Sequence, residues 1–442
     1  MERTFISDLS KHVGESVIVM GFVSVRRDQG KMVFFDIRDF SGTVQAVVLT
    51  KSPALPAAKE VTVESAVKFG GMVNKRPDKN VVAGKQNGNI ELSVDSLEII
   101  GKSQTLPFEL SAELNLDTHL DNLPLTLRSE RSRDIFTLQA SILDAYRTSL
   151  KQQNFTEFIA PSLVGGDAEG GAAAFKVEYF YDQSAFLATS PQFYKQIMVG
   201  PFERAFTIAK IFRAEKSATT RHLSEATCMD FEMGFIDSEL EPMRVLEQAI
   251  RDTVSAVADK HADMFERFKT TIPLIPDSIP VLTLAEAHAT LGVESEPDMA
   301  PEHERMICEW AKKEKSSDLV FITRFPTKKR AFYTYEDPSE TPFSRGFDLL
   351  FRGLEINSGA QRMHDYDALV ARMIERGLDP AKFSFYLQAF KYGMPPHGGS
   401  STGLERMTAR MLELPNVKEA TSFPRDMTRI DSRLSEDPSF ES

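Results

Sequence analysis

Three stretches of this chain hold residue types that could bind and activate a phosphate ester. The first runs Phe212-Arg213-Ala214-Glu215, passes through a polar loop to Thr220-Arg221-His222-Leu223, and continues to Glu225 and Asp230-Phe231-Glu232-Met233. It reads as strand, loop, strand. An arginine that ends a strand can clamp a phosphate with its planar fork. A loop carrying Arg221 and His222 can close on the outer phosphates of the same ligand. A lone FRxE would read as a surface hairpin with ion pairs, and the full span argues against that. The second stretch is Gly398-Gly399-Ser400-Ser401-Thr402-Gly403-Leu404-Glu405-Arg406. Here a Gly-rich strand enters a helix with the apolar stripe Leu404, Met407, Met411 and Leu414. The glycines permit close approach of a flat ligand, and Arg406 projects near the helix start. The third is Phe347-Asp348 followed by Gly353 to Arg362. Asp348 and Glu355 suit neighbouring strands of a hairpin. Two carboxylates with the Ser358 hydroxyl suit Mg²⁺, which prefers hard oxygen ligands. In isolation, solvated acids at strand ends would be the better explanation of that pair.

A second kind of chemistry lies in Ser190-Pro191-Gln192-Phe193-Tyr194-Lys195 together with Asp230 and Arg362. A buried lysine beside a buried arginine needs an anion. If Lys195 and Arg362 share one pocket, they predict an acidic ligand, leave a neutral one under-compensated and repel a cationic one. Asp230 is expected to hold Lys195 in place.

These groups need a scaffold, and the periodicity supplies one. Ser16 to Val25 (interrupted at Gly21), Lys31 to Arg38, Thr43 to Leu49, Val61 to Val73 and Ile90 to Ile100 read as five strands. Five strands in residues 1–104 predict a small barrel. Residues 105–128 carry few periodic signals and are expected as a linker or hinge. Ser129 to Gln152 reads as a helix with Ile135, Phe136, Leu138, Ile142, Leu143 and Tyr146 on one side. Residues 129–434 mix strands with helices such as Glu241 to Phe265 and Asp365 to Glu375, and antiparallel hairpins fit better than a βαβ series. Residues 270–322 carry little motif content and are expected as an insertion, and 435–442 as a disordered tail. The fold class is therefore α+β.

Composition narrows the setting. The 442 residues are 42% hydrophobic and 26% charged, an ordinary globular balance. No apolar run is long enough to span a bilayer, and the N-terminus lacks a signal-peptide pattern, so no membrane partner is expected. Cys228 and Cys308 lie far apart, which argues against a disulfide framework or a cysteine zinc site. The net charge of −12 argues against nucleic-acid binding by the chain as a whole. Residues 1–104, however, carry 14 Lys and Arg against 12 Asp and Glu, so the acidic excess lies beyond them. The barrel is the better candidate for touching a polyanion.

Taken together, the first two stretches resemble motifs 2 and 3 of the class II aminoacyl-tRNA synthetases, with Ser129–Gln152 and Phe155 to Pro161 as the weaker motif 1. The likeness narrows to the aspartyl, asparaginyl and lysyl subgroup, and most of all to compact archaeal-type aspartyl enzymes. It covers residues 1–430. The resemblance implies an N-terminal OB-fold β-barrel followed by a class II antiparallel sheet flanked by helices. It implies a cytoplasmic enzyme of protein biosynthesis that uses ATP and Mg²⁺, without zinc, to join aspartate to tRNA(Asp). It also implies a homodimer formed through motif 1.

On the same likeness, Glu169, Ser190, Gln192, Lys195, Asp230 and Arg362 bind aspartate. Arg213 and Arg406 are catalytic. Arg213, Glu215, Arg221, His222, Leu223, Glu355 and Arg406 hold ATP. Asp348, Glu355 and Ser358 hold the metal. Arg27, Phe34 and Gln45 read the anticodon, and either Phe34 or Phe35 must be barrel core. The chain departs from the family at Glu225-Ala226-Thr227-Cys228, where an aromatic residue usually stacks on adenine. Whether His222 or another residue replaces it stays open. So do charging of tRNA(Asn), with an amidotransferase as a further partner, and the alternatives of an asparagine–tRNA ligase or a tRNA-independent asparagine-forming relative.

Overall fold

The computed structural model describes residues 2–166, 174–216 and 219–430, in two units, Met1–Ala112 and Glu113–Ser442. Glu169, expected in the amino-acid pocket, and the expected tail lie outside the described residues.

The first unit closes five strands into a barrel of order β1-β2-β3-β5-β4: β1 (Ser16–Asp28), β2 (Val33–Asp39), β3 (Gly42–Val48), β4 (Ala66–Lys75) and β5 (Ile90–Gly101). A short helix, α1 (Leu55–Glu60), sits between β3 and β4. Alternation decides what faces in. Val33, Phe35 and Ile37 of β2 join Val67, Phe69 and Val73 of β4 in the core, and the Phe35 and Phe69 rings meet at 5.4 Å. Gly21, which interrupts the apolar run of β1, is required by closure: a Cβ there would lie 2.3 Å from the Arg38 carbonyl oxygen.

The second unit begins with α2 (Leu116–Asp121) and α3 (Leu123–Thr126). The stretch expected as a linker thus contains helices, and Arg429 pairs with Asp117 at 3.2 Å, tying α2 to the far end of the same unit. Helix α4 (Glu130–Gln152) follows, capped by the Ser129 side chain. Beyond β6 (Thr156–Glu157), a small sheet of order β7-β9-β8 is formed by β7 (Leu163–Val164), β8 (Lys176–Glu178) and β9 (Ser184–Leu187). Next come α5 (Gln192–Phe202), β10 (Arg204–Phe212), β11 (Glu225–Gly234) and α6 (Leu240–Arg267). They are followed by β12 (Val281–Thr283), α7 (Leu284–Leu291), α8 (Pro301–Lys315), β13 (Leu319–Thr323), β14 (Gly346–Phe351) and β15 (Leu354–Arg362). The unit ends with α9 (Tyr366–Glu375), α10 (Ser384–Lys391), β16 (His397–Gly403) and α11 (Leu404–Met411).

The main sheet runs β12-β13-β14-β15-β16-β11-β10-β6. Pairing is antiparallel from β13 to β10 and parallel at both edges. Residues 270–322, expected as an insertion, supply β12 and β13 at one edge of this sheet and the two helices that pack there. The reason they carry no motif is that their work is apolar: Leu284, Ala287, Ile307, Val320 and Ile322 form one cluster.

The sheet has a dry face and a polar face. Met229, Phe231, Phe347, Leu349 and Ile356 pack with α4, α6 and α11 in the largest core. The opposite face carries Asp230, Glu232, Asp348, Ser358 and Arg362, because side chains along a strand alternate. Glu355 has the wrong parity to join them, being an odd number of residues from Ser358. A bulge corrects this: β14 pairs Leu349 with Asn357 but Leu350 with Glu355, leaving Ile356 extra. Ile356 turns into the core and Glu355 turns to the polar face.

Candidate active site

Helix α5 should bury an apolar stripe. Its buried positions are instead Gln192, Lys195, Gln196 and Val199. Three polar side chains at helical spacing, all facing inward, mark a site and not a core. Lys195 is fully buried and lies 3.1 Å from Asp230 Oδ2 and 3.4 Å from Glu232 Oε2. Its ammonium also donates to the Ser400 carbonyl oxygen at 3.1 Å. Arg362 donates through Nε to Glu232 Oε1 at 3.0 Å and through Nη2 to the Gly399 carbonyl oxygen at 3.0 Å. That approach needs glycine, since a Cβ on Gly399 would lie 2.0 Å from the Phe231 oxygen. Ser401 donates to Asp230 Oδ1 at 2.5 Å, and the Ser190 hydroxyl accepts from the Gln192 backbone N–H at 3.2 Å.

This geometry corrects the charge argument made from sequence. Lys195 and Arg362 are not waiting for an anion, because Asp230 and Glu232 already balance them. Burial opposes charge on Glu232, but Arg362 and Lys195 outweigh it and hold the carboxyl below its ordinary value. His397, behind the cluster, is kept neutral by burial, with its pKa pushed down to about 4. A ligand side chain is therefore selected by the donors Arg362 still offers, not by uncompensated positive charge. Glu232 is the residue the sequence reading left out of the pocket, and its signal was present: it is the period-two neighbour of Asp230 on β11.

A second group lies along the β14–β15 hairpin and the Arg213–Leu223 loop. Arg213 follows β10 directly, exposed, with its backbone N–H bonded to the Ser224 oxygen at 2.9 Å. Arg406, Glu215, Arg221 and Arg213 all act electrostatically on His222, so the five are assembled around one place. Burial and then Arg406 lower the His222 pKa, keeping its ring neutral. Leu223 differs from expectation in that its side chain packs against the apolar core, leaving only its backbone for a ligand. Arg406 donates to the Glu355 carbonyl oxygen at 2.9 Å and lies 3.8 Å from that carboxylate. Arg221 pairs with Glu304 of α8, whose Oε2 also accepts from the Glu355 backbone N–H at 3.1 Å.

Asp348 and Ser358 face each other across the hairpin. Arg330 bonds both Asp348 oxygens, at 3.0 and 2.7 Å, and the Ser358 hydroxyl at 3.2 Å. The Glu355 carboxyl is pushed up to about 7 by burial and by repulsion from Asp348. Glu304 and Arg330 belong to this site and carry no motif that flags them.

On the barrel, Arg27, Phe34 and Gln45 share one outer face. Arg27 pairs with Phe34 in register, and its guanidinium reaches Asp36 at 3.2 Å and Gln45 at 3.4 Å. Phe35 is the core ring, and Phe34 is half-buried on the opposite side.

These features define a fold and a site with known counterparts. Residues 115–427 match the family described as tRNA synthetases class II (D, K and N), and residues 17–100 match the OB-fold nucleic acid binding domain. The chain belongs to the class II tRNA synthetases of the D, K and N group, and is an aminoacyl-tRNA synthetase, a ligase, with an N-terminal OB-fold. Within that group, the relatives it matches over their full length include aspartate enzymes. It is 41% identical to the aspartate–tRNA(Asp/Asn) ligase of Thermus thermophilus, covering 97% of this chain and 99% of that one. It is 36% identical to the aspartate–tRNA(Asp) ligase of Thermoplasma acidophilum, covering 97% and 100%. Among solved structures, asparaginyl-tRNA synthetase from Pyrococcus horikoshii complexed with asparaginyl-adenylate aligns with a TM-score of 0.89 at 29% identity, covering 97% and 99%. Aspartyl-tRNA synthetase from Entamoeba histolytica aligns with a TM-score of 0.85 at 28% identity, covering 97% and 93%. No helix among the described residues is long and apolar enough to cross a membrane.

Proposed function

We propose that this chain activates L-aspartate with ATP and transfers it to tRNA(Asp). The observation that carries the reading is the buried Lys195–Asp230–Glu232–Arg362 cluster. Both oxygens of a carboxylate can accept from the free Arg362 donors, whereas the amide of asparagine turns one donor against them. Ser190, Gln192 and Glu169 take the substrate amino group. The aspartate α-carboxylate attacks the α-phosphorus, and the bond to pyrophosphate breaks. The nucleophile is already an anion, so catalysis is positioning and charge stabilisation. Arg213 holds the α-phosphate and the α-carboxylate, Arg221 and Arg406 the outer phosphates, and Glu215 the adenine amino group. The neutral, planar His222 supplies the adenine face that Ala226 cannot. The 3′-terminal ribose hydroxyl of tRNA then attacks the aspartyl carbonyl, and AMP leaves.

Asp348, Glu355 and Ser358 fit a Mg²⁺ ion. Glu355 has an unfavourable carboxylate that a cation relieves, and Mg²⁺ completes its shell with phosphates and water more readily than with many carboxylates. Among the described residues no three His, Cys, Asp or Glu side chains are grouped for a metal, so the reading rests on two carboxylates and a hydroxyl. When bound, the ion neutralises charge on the phosphates.

The test is ATP–pyrophosphate exchange with Asp, Asn and Lys, followed by charging of purified tRNA(Asp) and tRNA(Asn). Exchange with asparagine alone would replace the aspartate reading. Charging of both tRNAs is the second reading, favoured because relatives at 41% and 38% identity are named for both. An amidotransferase would then convert the second product. A homodimer through α4 and the following strand is supported by Ile159, 87% exposed just after β6, and sedimentation tests it. The cytoplasm is the expected compartment.

The barrel should read the anticodon. Phe34→Ala is expected to lower kcat/KM for tRNA roughly 5- to 150-fold, the effect of losing about 1–3 kcal/mol of base stacking. Pyrophosphate exchange and the melting temperature should stay unchanged, because Phe35 and not Phe34 fills the core. Wild-type charging by this variant would move the stacking face elsewhere.

A further inference from the structure

Each acid around the hairpin has its own arginine. Asp348 is held by Arg330 at 2.7 Å, Glu304 by Arg221, and Glu355 by Arg406 with its carboxylate at 3.8 Å. The three arginines differ in how firmly they are fixed. Arg221 lies in the loop between β10 and β11, and Arg406 lies in the first turn of α11. Arg330 is clamped. Its guanidinium lies 3.7 Å from the centroid of the Phe325 ring, and Gly346 leaves room on another side, where a Cβ would meet Arg330 Nε at 3.4 Å. The Arg330 and Asp348 side chains are 17% and 11% exposed. Arginine suits this place because its planar fork takes both carboxylate oxygens at once, and a lysine could not.

We infer that these three pairs close the cation site to a divalent ion by itself, Arg330 as a fixed counter-ion and Arg221 and Arg406 as ones that ATP phosphates draw away. The inference rests on the metal reading of Asp348, Glu355 and Ser358 given above. A bare divalent ion meets carboxylates already neutralised, and it sheds hydration reluctantly for so little charge. Polyphosphate changes the balance twice. It brings its own anionic oxygens to the ion, and it competes for Arg221 and Arg406, uncovering Glu304 and Glu355. The ion therefore enters with the nucleotide and not ahead of it. Arg330 stays, which limits how strongly Asp348 can hold the ion afterwards and eases its departure with pyrophosphate.

The experiment measures Mn²⁺ binding to the full chain by electron paramagnetic resonance of the free ion, with and without a non-hydrolysable ATP analogue. Without nucleotide, Arg330→Gln is expected to bind Mn²⁺ about tenfold more tightly than wild type or better, since one compensating charge is gone. Adding Asp348→Asn to that variant should abolish the gain. Arg221→Gln, between β10 and β11 and outside the sheet, should give a smaller rise in the same direction. It keeps the inference testable if Arg330→Gln fails to fold. Unchanged or weaker Mn²⁺ binding by these variants overturns the inference. If Asp348→Asn and Glu355→Gln also leave binding in the presence of the analogue untouched, the metal reading itself has failed. If those two variants lose it while Arg330→Gln gains nothing, only the counter-ion role has failed.

Discussion

Lys195→Met is expected to lose aspartate activation and stability together. The side chain is fully buried between Asp230 and Glu232, so a methionine of similar length leaves two carboxylates facing each other with one cation fewer. Breaking a buried charge cluster by removing one partner costs roughly 3–5 kcal/mol. In a unit of this size the melting temperature should fall by roughly 5–10 °C. One of the two acids should then take up a proton, and the loss should be smaller in acid than at pH 8. Aspartate activation should fall roughly 30- to 4,000-fold in kcat/KM, corresponding to about 2–5 kcal/mol for a buried charged hydrogen bond. The decisive comparison is with ATP affinity, read by equilibrium binding below the new melting temperature. The phosphate-facing arginines are untouched, so that affinity should change little. Unaltered kcat/KM for aspartate in pyrophosphate exchange would remove Lys195 from the pocket. Equal loss of ATP affinity would make it a structural strut.

Glu355→Gln should separate catalysis from stability in the opposite sense. The wild-type carboxyl has its pKa raised to about 7 by burial and by Asp348. A carboxyl raised in the folded state favours folding while protonated. Its contribution is fully present below the ordinary glutamate value and is lost as pH rises through about 7. Wild type should therefore lose stability between about pH 4.5 and 7 on this account, and Glu355→Gln should not. At pH 8 the variant should melt higher than wild type, and below about pH 4.5 the two should coincide. Mg²⁺ with ATP should narrow the gap at pH 8 by stabilising the wild-type carboxylate. Adenylate formation should fall about 100- to 1,000-fold, the usual range for losing one charge-stabilising group at a reacting centre. Wild-type activity should climb as pH rises through about 7, which the variant's residual activity should not follow. A variant that exchanges pyrophosphate at wild-type rate would reduce Glu355 to an acid at a strand end.

The residues with chemistry were legible because they break local rules. Lys195 and Gln192 sit where a helix should be apolar, Arg213 directly follows β10, and Arg406 lies in the first turn of α11 after a glycine-rich strand. The barrel was legible from alternation, which also left one question that sequence could not answer. Phe34 and Phe35 are equivalent in type, and only the ring partner Phe69 chooses between them. The edge of the main sheet was hidden for the opposite reason. β12, α7, α8 and β13 are ordinary amphipathic elements, and nothing local says that Glu304 will reach Arg221 across 83 positions. Charge balance was misjudged because pairing is a property of three dimensions. Glu232 stood in full view, two residues from Asp230, and only the packing of α5 over β11 reveals that it already answers both cations.

The bulge at Ile356 makes the hairpin tolerant of one particular loss. Deleting Ile356 would leave the ladder regular: Asn357 would still meet Leu349 and Glu355 would still meet Leu350. Glu355, now two residues from Ser358, would keep the polar face. What the chain would lose is one apolar side chain from the layer filled by Phe347, Leu349 and Leu404. The extra residue therefore serves the core, and the bulge is what lets the strand carry it without turning the carboxylate away from Asp348. A lineage that lost this one codon could keep both the sheet and the carboxylate, and would give up packing.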